Sequence, residues 1–160
     1  MRRHTVLTQE LLSLSAATRA MQMWFQAAHH LTKGAGFAGD HAILYDEIYN
    51  SASDEFDAYV ERNLGLSNDE SVASPRVLMP LVTGLCMEYP PLVNQSAHII
   101  AQGALVVMRH HLERIARCYY AAKESGQITL GLDDLLMANA NTNERFVYLL
   151  QQRAKAHPMR

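Results

Sequence analysis

The sequence predicts an all-α fold, a four-helix bundle with one long crossover between its second and third helices. Apolar residues recur at three- and four-residue steps along most of the chain, and no segment alternates with the two-residue period of a strand. Two short glycine-bounded links flank a connection of about thirty residues, so two helical hairpins are joined by a long excursion.

The first helix is expected from Thr8 to Lys33. Leu11, Leu14, Ala17, Met21, Phe25 and Ala28 share one face, and Gly34 follows a terminal lysine as a stop. Asp40 is the expected N-cap of the second helix, which carries Leu44, Ile48, Ala52, Phe56, Val60 and Leu64 and stops at Gly65. The crossover, 65–93, should hold a short helix that opens at Ser74-Pro75 and breaks near Pro80. A third helix is expected from Asn94, carrying Ile100, Ala104, Val107, Ile115 and Tyr119 to Ser125-Gly126, with Gly103 as its weak point. The fourth runs from Leu132 to Lys155 through Leu136, Ala140, Val147 and Leu150, with Pro158 beyond it. Links of about six residues, Gly34 to Gly39 and Gly126 to Gly131, make each hairpin antiparallel.

This connectivity is ferritin-like, as opposed to a simple up-down bundle. The 160 residues suit a single domain, 1–160, whose first residues, 1–7, form a short arm, and are enough to bury roughly two-thirds of the surface of the unfolded chain. A net charge of −2 excludes a strongly basic nucleic-acid binder. Cys86 and Cys118 lie too far apart for a CxxC redox or zinc motif and read as reduced, buried thiols. Polar residues interrupt any apolar leader after Met1-Arg2-Arg3-His4, and the apolar stretch Ala97 to Met108 is too short to span a bilayer, so a cytoplasmic protein is expected.

Histidines and carboxylates concentrate between His29 and Arg62. His29 and His30 taken alone suit a helix C-terminus, where imidazolium meets the negative end of the macrodipole, and the run Asp54 to Glu61 suits a solvated face. Spacing adds more. Asp57 and Glu61 are four apart and form a like-charge pair on one face, which a cation would relieve. Asp46 lies three turns earlier on nearly the same face, roughly 16 Å away along the axis, so the two positions cannot share an ion within one subunit. A two-fold dimer with antiparallel second helices would bring them together.

The segment resembles the Dps family, small ferritin-like proteins that protect DNA in starved bacteria. The likeness rests on His29, Lys33-Gly34, Phe37 and His41, twelve residues after His29, then on Asp46-Glu47-Ile48-Tyr49 and Asp57-Ala58-Tyr59-Val60-Glu61-Arg62. Toward the C-terminus, Asp134-Leu135-Leu136, Glu144 and Leu149-Leu150 resemble the family's last helix.

The resemblance implies a homo-oligomeric shell of twelve subunits built from two-fold dimers. Ferroxidase centres at the dimer interface would oxidise ferrous iron, preferentially with hydrogen peroxide, and deposit a ferric mineral inside. His29, His41 and Asp46 would come from one subunit, Asp57 and Glu61 from its mate. Imidazole and carboxylate suit iron, with zinc as a surrogate. The alternatives are a Dps-like structural or DNA-coating cage without ferroxidase activity, and an unrelated, monomeric helical interaction protein.

The chain departs from the family pattern in three places. The second histidine usually precedes the first acidic ligand by four residues, whereas His41 to Asp46 is five, a rotation of roughly 140° on an ideal helix. Either a bulge between Ala42 and Tyr45 absorbs the extra residue or the ligand sphere differs. Counting back from Asp46 in the usual register selects His30 and Ala42, so His29 and His30 compete for one role, with the turn motif favouring His29. His30 also replaces the family's tryptophan, while Trp24 reads as core. DNA is a family partner for which the terminal charges are few: Arg2, Arg3, His4, Arg153, Lys155 and Arg160. A second cluster, His110, His111 and Glu113, contains no Glu-x-x-His pair and reads as polar surface or cavity wall, and the scattered methionines read as packing.

Overall fold

The computed structural model describes residues 5–155, which are helical apart from caps and connections. Helix α1 (Val6–Leu31) is followed by a single turn, α2 (Phe37–Gly39), and a π-helical segment (Asp40–Tyr45) that runs directly into α3 (Asp46–Ser67). A 3-10 turn (Glu70–Ala73) and α4 (Pro75–Glu88) form the crossover. The long helices α5 (Ala97–Glu124) and α6 (Leu130–Ala154) close the bundle. α1 packs against α3, α4 and α5, and α5 against α6. Arg2, Arg3, His4 and Arg160 lie outside the described residues, and the expected arm shortens because α1 already starts at Val6, capped by Thr5 Oγ1.

Several boundaries differ from expectation for identifiable reasons. Asp40 is not an N-cap: it is buried within the π segment, and its carboxylate is held by Arg153. α3 runs through Gly65 because the left-handed cap falls at Asn68 (φ 47°), asparagine being one of the few residues that tolerate this conformation. Pro80 does not break α4. Pro80 and Arg76 are both exposed, so the carbonyl that loses its donor faces water. Asn94 itself adopts φ 62°, which delays α5 to Ala97 with Ser96 as N-cap.

Two apolar clusters form the core. One gathers Met21, Trp24, Phe25, Tyr45, Ile48, Met108, Phe146 and the inward face of α4 (Leu78, Val82, Leu85); the other gathers Leu7, Leu11, Leu14, Tyr59, Ile115, Cys118, Leu132 and Leu136. Trp24 is core as expected, and its Nε1–H donates to the Pro90 carbonyl at 2.8 Å. Cys118 is fully buried and its thiol is pushed up to about 12 by desolvation, which leaves it unreactive.

Gly103, the weak point of α5 in the sequence, has a packing reason. A Cβ there would lie 3.2 Å from both Trp24 Cζ2 and Pro90 Cβ, so glycine lets the crossover seat against α1 and α5. Gly103→Val should therefore destabilise the protein by about 1–3 kcal/mol, despite valine's better helix propensity, and thermal unfolding checks this. An unchanged or raised melting temperature would contradict it.

Candidate metal centre at the α1–α3 turn

The end of α1 and the start of α3 meet through two histidines. An α-helix leaves its last carbonyls without intrahelical donors, and here the His29 carbonyl accepts from His41 Nδ1 at 2.7 Å. The arrangement is reciprocal, because His29 Nδ1 donates to the His41 carbonyl, also at 2.7 Å. The two rings stack with centroids 3.7 Å apart and planes 19° from parallel, and Phe37 stacks on the outer face of His41 at 4.7 Å. A carbonyl can only accept, so each Nδ1 carries a hydrogen, and the tautomer this selects has its lone pair on Nε2. This is the way proteins orient imidazoles for metals: the second ring nitrogen is anchored, which fixes the tautomer.

Asp46 opens α3 and is linked to this pair through Tyr49. Its Oδ1 accepts from Tyr49 Oη at 2.7 Å and its Oδ2 from Asn50 Nδ2 at 3.1 Å, and the Tyr49 ring lies edge-on to His29 with centroids 5.4 Å apart. The hydrogen bond to Asp46, which stabilises the phenol, is the main reason the Tyr49 hydroxyl titrates above its ordinary range. The five-residue step from His41 to Asp46 is met by the π segment. Hydrogen-bonded partners five apart place side chains at that spacing one above another, where an α-helix would rotate them roughly 140° apart.

His30 stands apart. It is exposed, its only ring contact is edge-on to His29 at 5.0 Å, and it makes no hydrogen bond among the described residues. Asp57 and Glu61 are exposed on α3 with no ion pair or hydrogen bond among the described residues. The structure thus pairs His29 with His41, links Asp46 to them only through Tyr49, and leaves Asp57 and Glu61 farther along α3, outside this cluster. Among the described residues, no three His, Cys, Asp or Glu side chains of this single chain come close enough to hold one metal ion.

Two polar features were not visible as such in the sequence. The first corrects the reading of His111 as surface or cavity wall: it is completely buried, and its Nε2 shares a hydrogen bond of 3.0 Å with Glu55 Oε2. Glu55 Oε1 accepts from Asn143 Nδ2 at 2.7 Å, and all three side chains are buried. By position along α3, α5 and α6 they form a polar layer between the two apolar clusters. The second feature is the Asp40–Arg153 ion pair, which takes Arg153 out of the set of free terminal cations.

No family model and no curated protein matches the sequence. Solved structures do match. The chain is similar to Dps from Thermosynechococcus elongatus (TM-score 0.78, 20% identity, covering 94% of this chain and 91% of that one). It is similar to DpsC from Streptomyces coelicolor (0.76, 20%, 99% and 94%). A third is the Dps protein of Vibrio cholerae O1, described as a member of a broad superfamily of ferritin-like diiron-carboxylate proteins (0.74, 19%, 93% and 89%). The fold is therefore the Dps-like form of the ferritin-like bundle, all-helical with no strand among the described residues.

Proposed function

We propose that this chain assembles into a homo-oligomeric cage that oxidises ferrous iron at centres shared by two subunits and stores the ferric product. The observation that carries the proposal is the reciprocal His29–His41 lock, which costs two side chains their freedom and reserves both Nε2 lone pairs, while Tyr49 holds the Asp46 carboxylate at the start of α3. Iron is the substrate, and the donor set fits it: imidazole for the ferrous ion, carboxylate for the harder ferric product.

Each residue has a separate task. The backbone carbonyls hold the protons of His29 and His41 on Nδ1. Tyr49 and Asn50 aim the Asp46 carboxylate. Asp57 and Glu61 of the partner subunit complete the sphere and neutralise the cation's charge, which relieves their mutual repulsion. In the overall reaction two ferrous ions give one electron each to hydrogen peroxide, whose O–O bond breaks to yield two hydroxides. Protons released when ferric iron hydrolyses pass to nearby carboxylates. The π segment supports this reading over a cage without ferroxidase activity, because a bulge there is what the extra residue between His41 and Asp46 calls for.

A twelve-subunit shell, a cytoplasmic location and protection from oxidative damage belong to the same proposal. No helix among the described residues is long and apolar enough to cross a membrane. DNA is a weaker part of it, because Arg153 is engaged by Asp40.

The test is ferrous oxidation by peroxide in His29→Ala and His30→Ala. Loss of a direct ligand should slow the reaction by about a hundredfold in the first, since even outer-shell losses cost about 10–100-fold, and the second should stay close to wild type. Equal rates in the two variants would contradict the assignment.

A further inference from the structure

We infer that Arg153, on the last turn of the C-terminal helix, is a positioning residue for the iron site: its grip on Asp40 holds the π turn that carries His41. This rests on the function proposed above. Arg153 Nε meets Asp40 Oδ1 at 2.7 Å and Nη2 meets Oδ2 at 2.7 Å, a bidentate pair whose carboxylate is almost fully buried. Thr32 Oγ1, from the cap of α1, approaches the same Oδ2 at 3.5 Å.

The site around the pair is shaped for it. A Cβ on Gly36 would lie 2.7 Å from Arg153 Nη2 and 3.0 Å from Asp40 Oδ2, so glycine leaves the room that the guanidinium fills. At the other end of the turn, the Tyr45 ring is buried against Phe25, five residues after Asp40. A π turn is rare and forms where its surroundings hold it. Here the single α2 turn and its flanking glycines offer little rigidity, and the fastenings come from adjacent residues: Asp40 to Arg153 on α6, His41 to His29 on α1. Releasing the first leaves the second to hold the extra residue alone, and an ordinary α turn would carry His41 out of register with Asp46.

The experiment uses the assembled full-length protein and two readouts. Hydrogen–deuterium exchange of the 40–45 backbone reports the turn without any metal, and Co2+ titration reports the site. Arg153→Lys, which keeps the charge but loses the fork, and Gly36→Ala, which crowds it, should each speed exchange at 40–45 at least about tenfold and weaken Co2+ binding about tenfold or more. In a His41→Ala background, Arg153→Lys should cause no further loss of Co2+ affinity, whereas a general structural defect would lower it again. Unchanged exchange, unchanged Co2+ affinity, or an equal loss with and without His41 would each overturn the inference. A wild type that binds no Co2+ would overturn the iron reading and with it the positioning role, while the exchange data would still decide whether Arg153 holds the turn.

Discussion

Asp57→Asn is expected to slow peroxide-driven ferrous oxidation by about a hundredfold or more while leaving the melting temperature nearly unchanged. The size follows from removing a charged ligand, against the about 10–100-fold cost of losing mere outer-shell support. The silent stability follows from exposure: Asp57 touches nothing that holds the bundle, and such surface changes stay within about 0.5 kcal/mol. Subunit mixing makes the expectation sharper. His29→Ala and Asp57→Asn should each be inactive alone, but a co-assembled pair of the two has one centre with every ligand intact. Random mixing would then restore about a quarter of wild-type activity, since half the dimers are mixed and half their centres are whole. No recovery from verified mixed assemblies would place the residues in unrelated roles.

The second large effect concerns stability. Glu55→Ala strands His111 Nε2 in the core and leaves Asn143 Nδ2 with only the Asn139 carbonyl, and breaking a buried pair of this kind costs about 3–5 kcal/mol. For a chain of this size that lowers the melting temperature by roughly 6–20 °C. Replacing both partners, as in Glu55→Met with His111→Leu, should recover most of the loss, because the polar layer is costly to break and cheap to replace by packing. A double variant as unstable as Glu55→Ala would show that the layer contributes more than pairing. Peroxide-driven oxidation in the folded double variant should be retained, since the layer lies away from the histidine pair.

Helix count, crossover and the segment that holds the candidate site were legible because they depend on local signals: periodic apolar faces, glycine at turns, and histidines and carboxylates close in sequence. The face of α3 was only partly legible. A stripe stepping strictly by four, through Phe56, Val60 and Leu64, drifts by about 40° each step, so those residues are half-buried while Glu55, Tyr59 and Asn63 take the core positions. Glu55 follows Ala52 by three and precedes Tyr59 by four, a core phase that its charge disguised within an acidic run. His111 was hidden in the same way between Met108 and Ile115. The Asp40–Arg153 pair was beyond reach, because no local pattern links residues at opposite ends of the chain. The bulge between Ala42 and Tyr45 was legible as one of two outcomes, and the π segment spans it.

The proposed reaction depends on acidic groups of one subunit facing the imidazoles of another across iron. Anomalous scattering at the iron edge, from crystals of the assembled protein loaded with Fe2+, locates the metal directly. The expected peak lies at the two-fold seam, bonded to His29 and, through Asp57 and Glu61 of the partner subunit, to the neighbouring α3. Iron found inside a single bundle, or a seam that stays empty at saturating Fe2+, would contradict it.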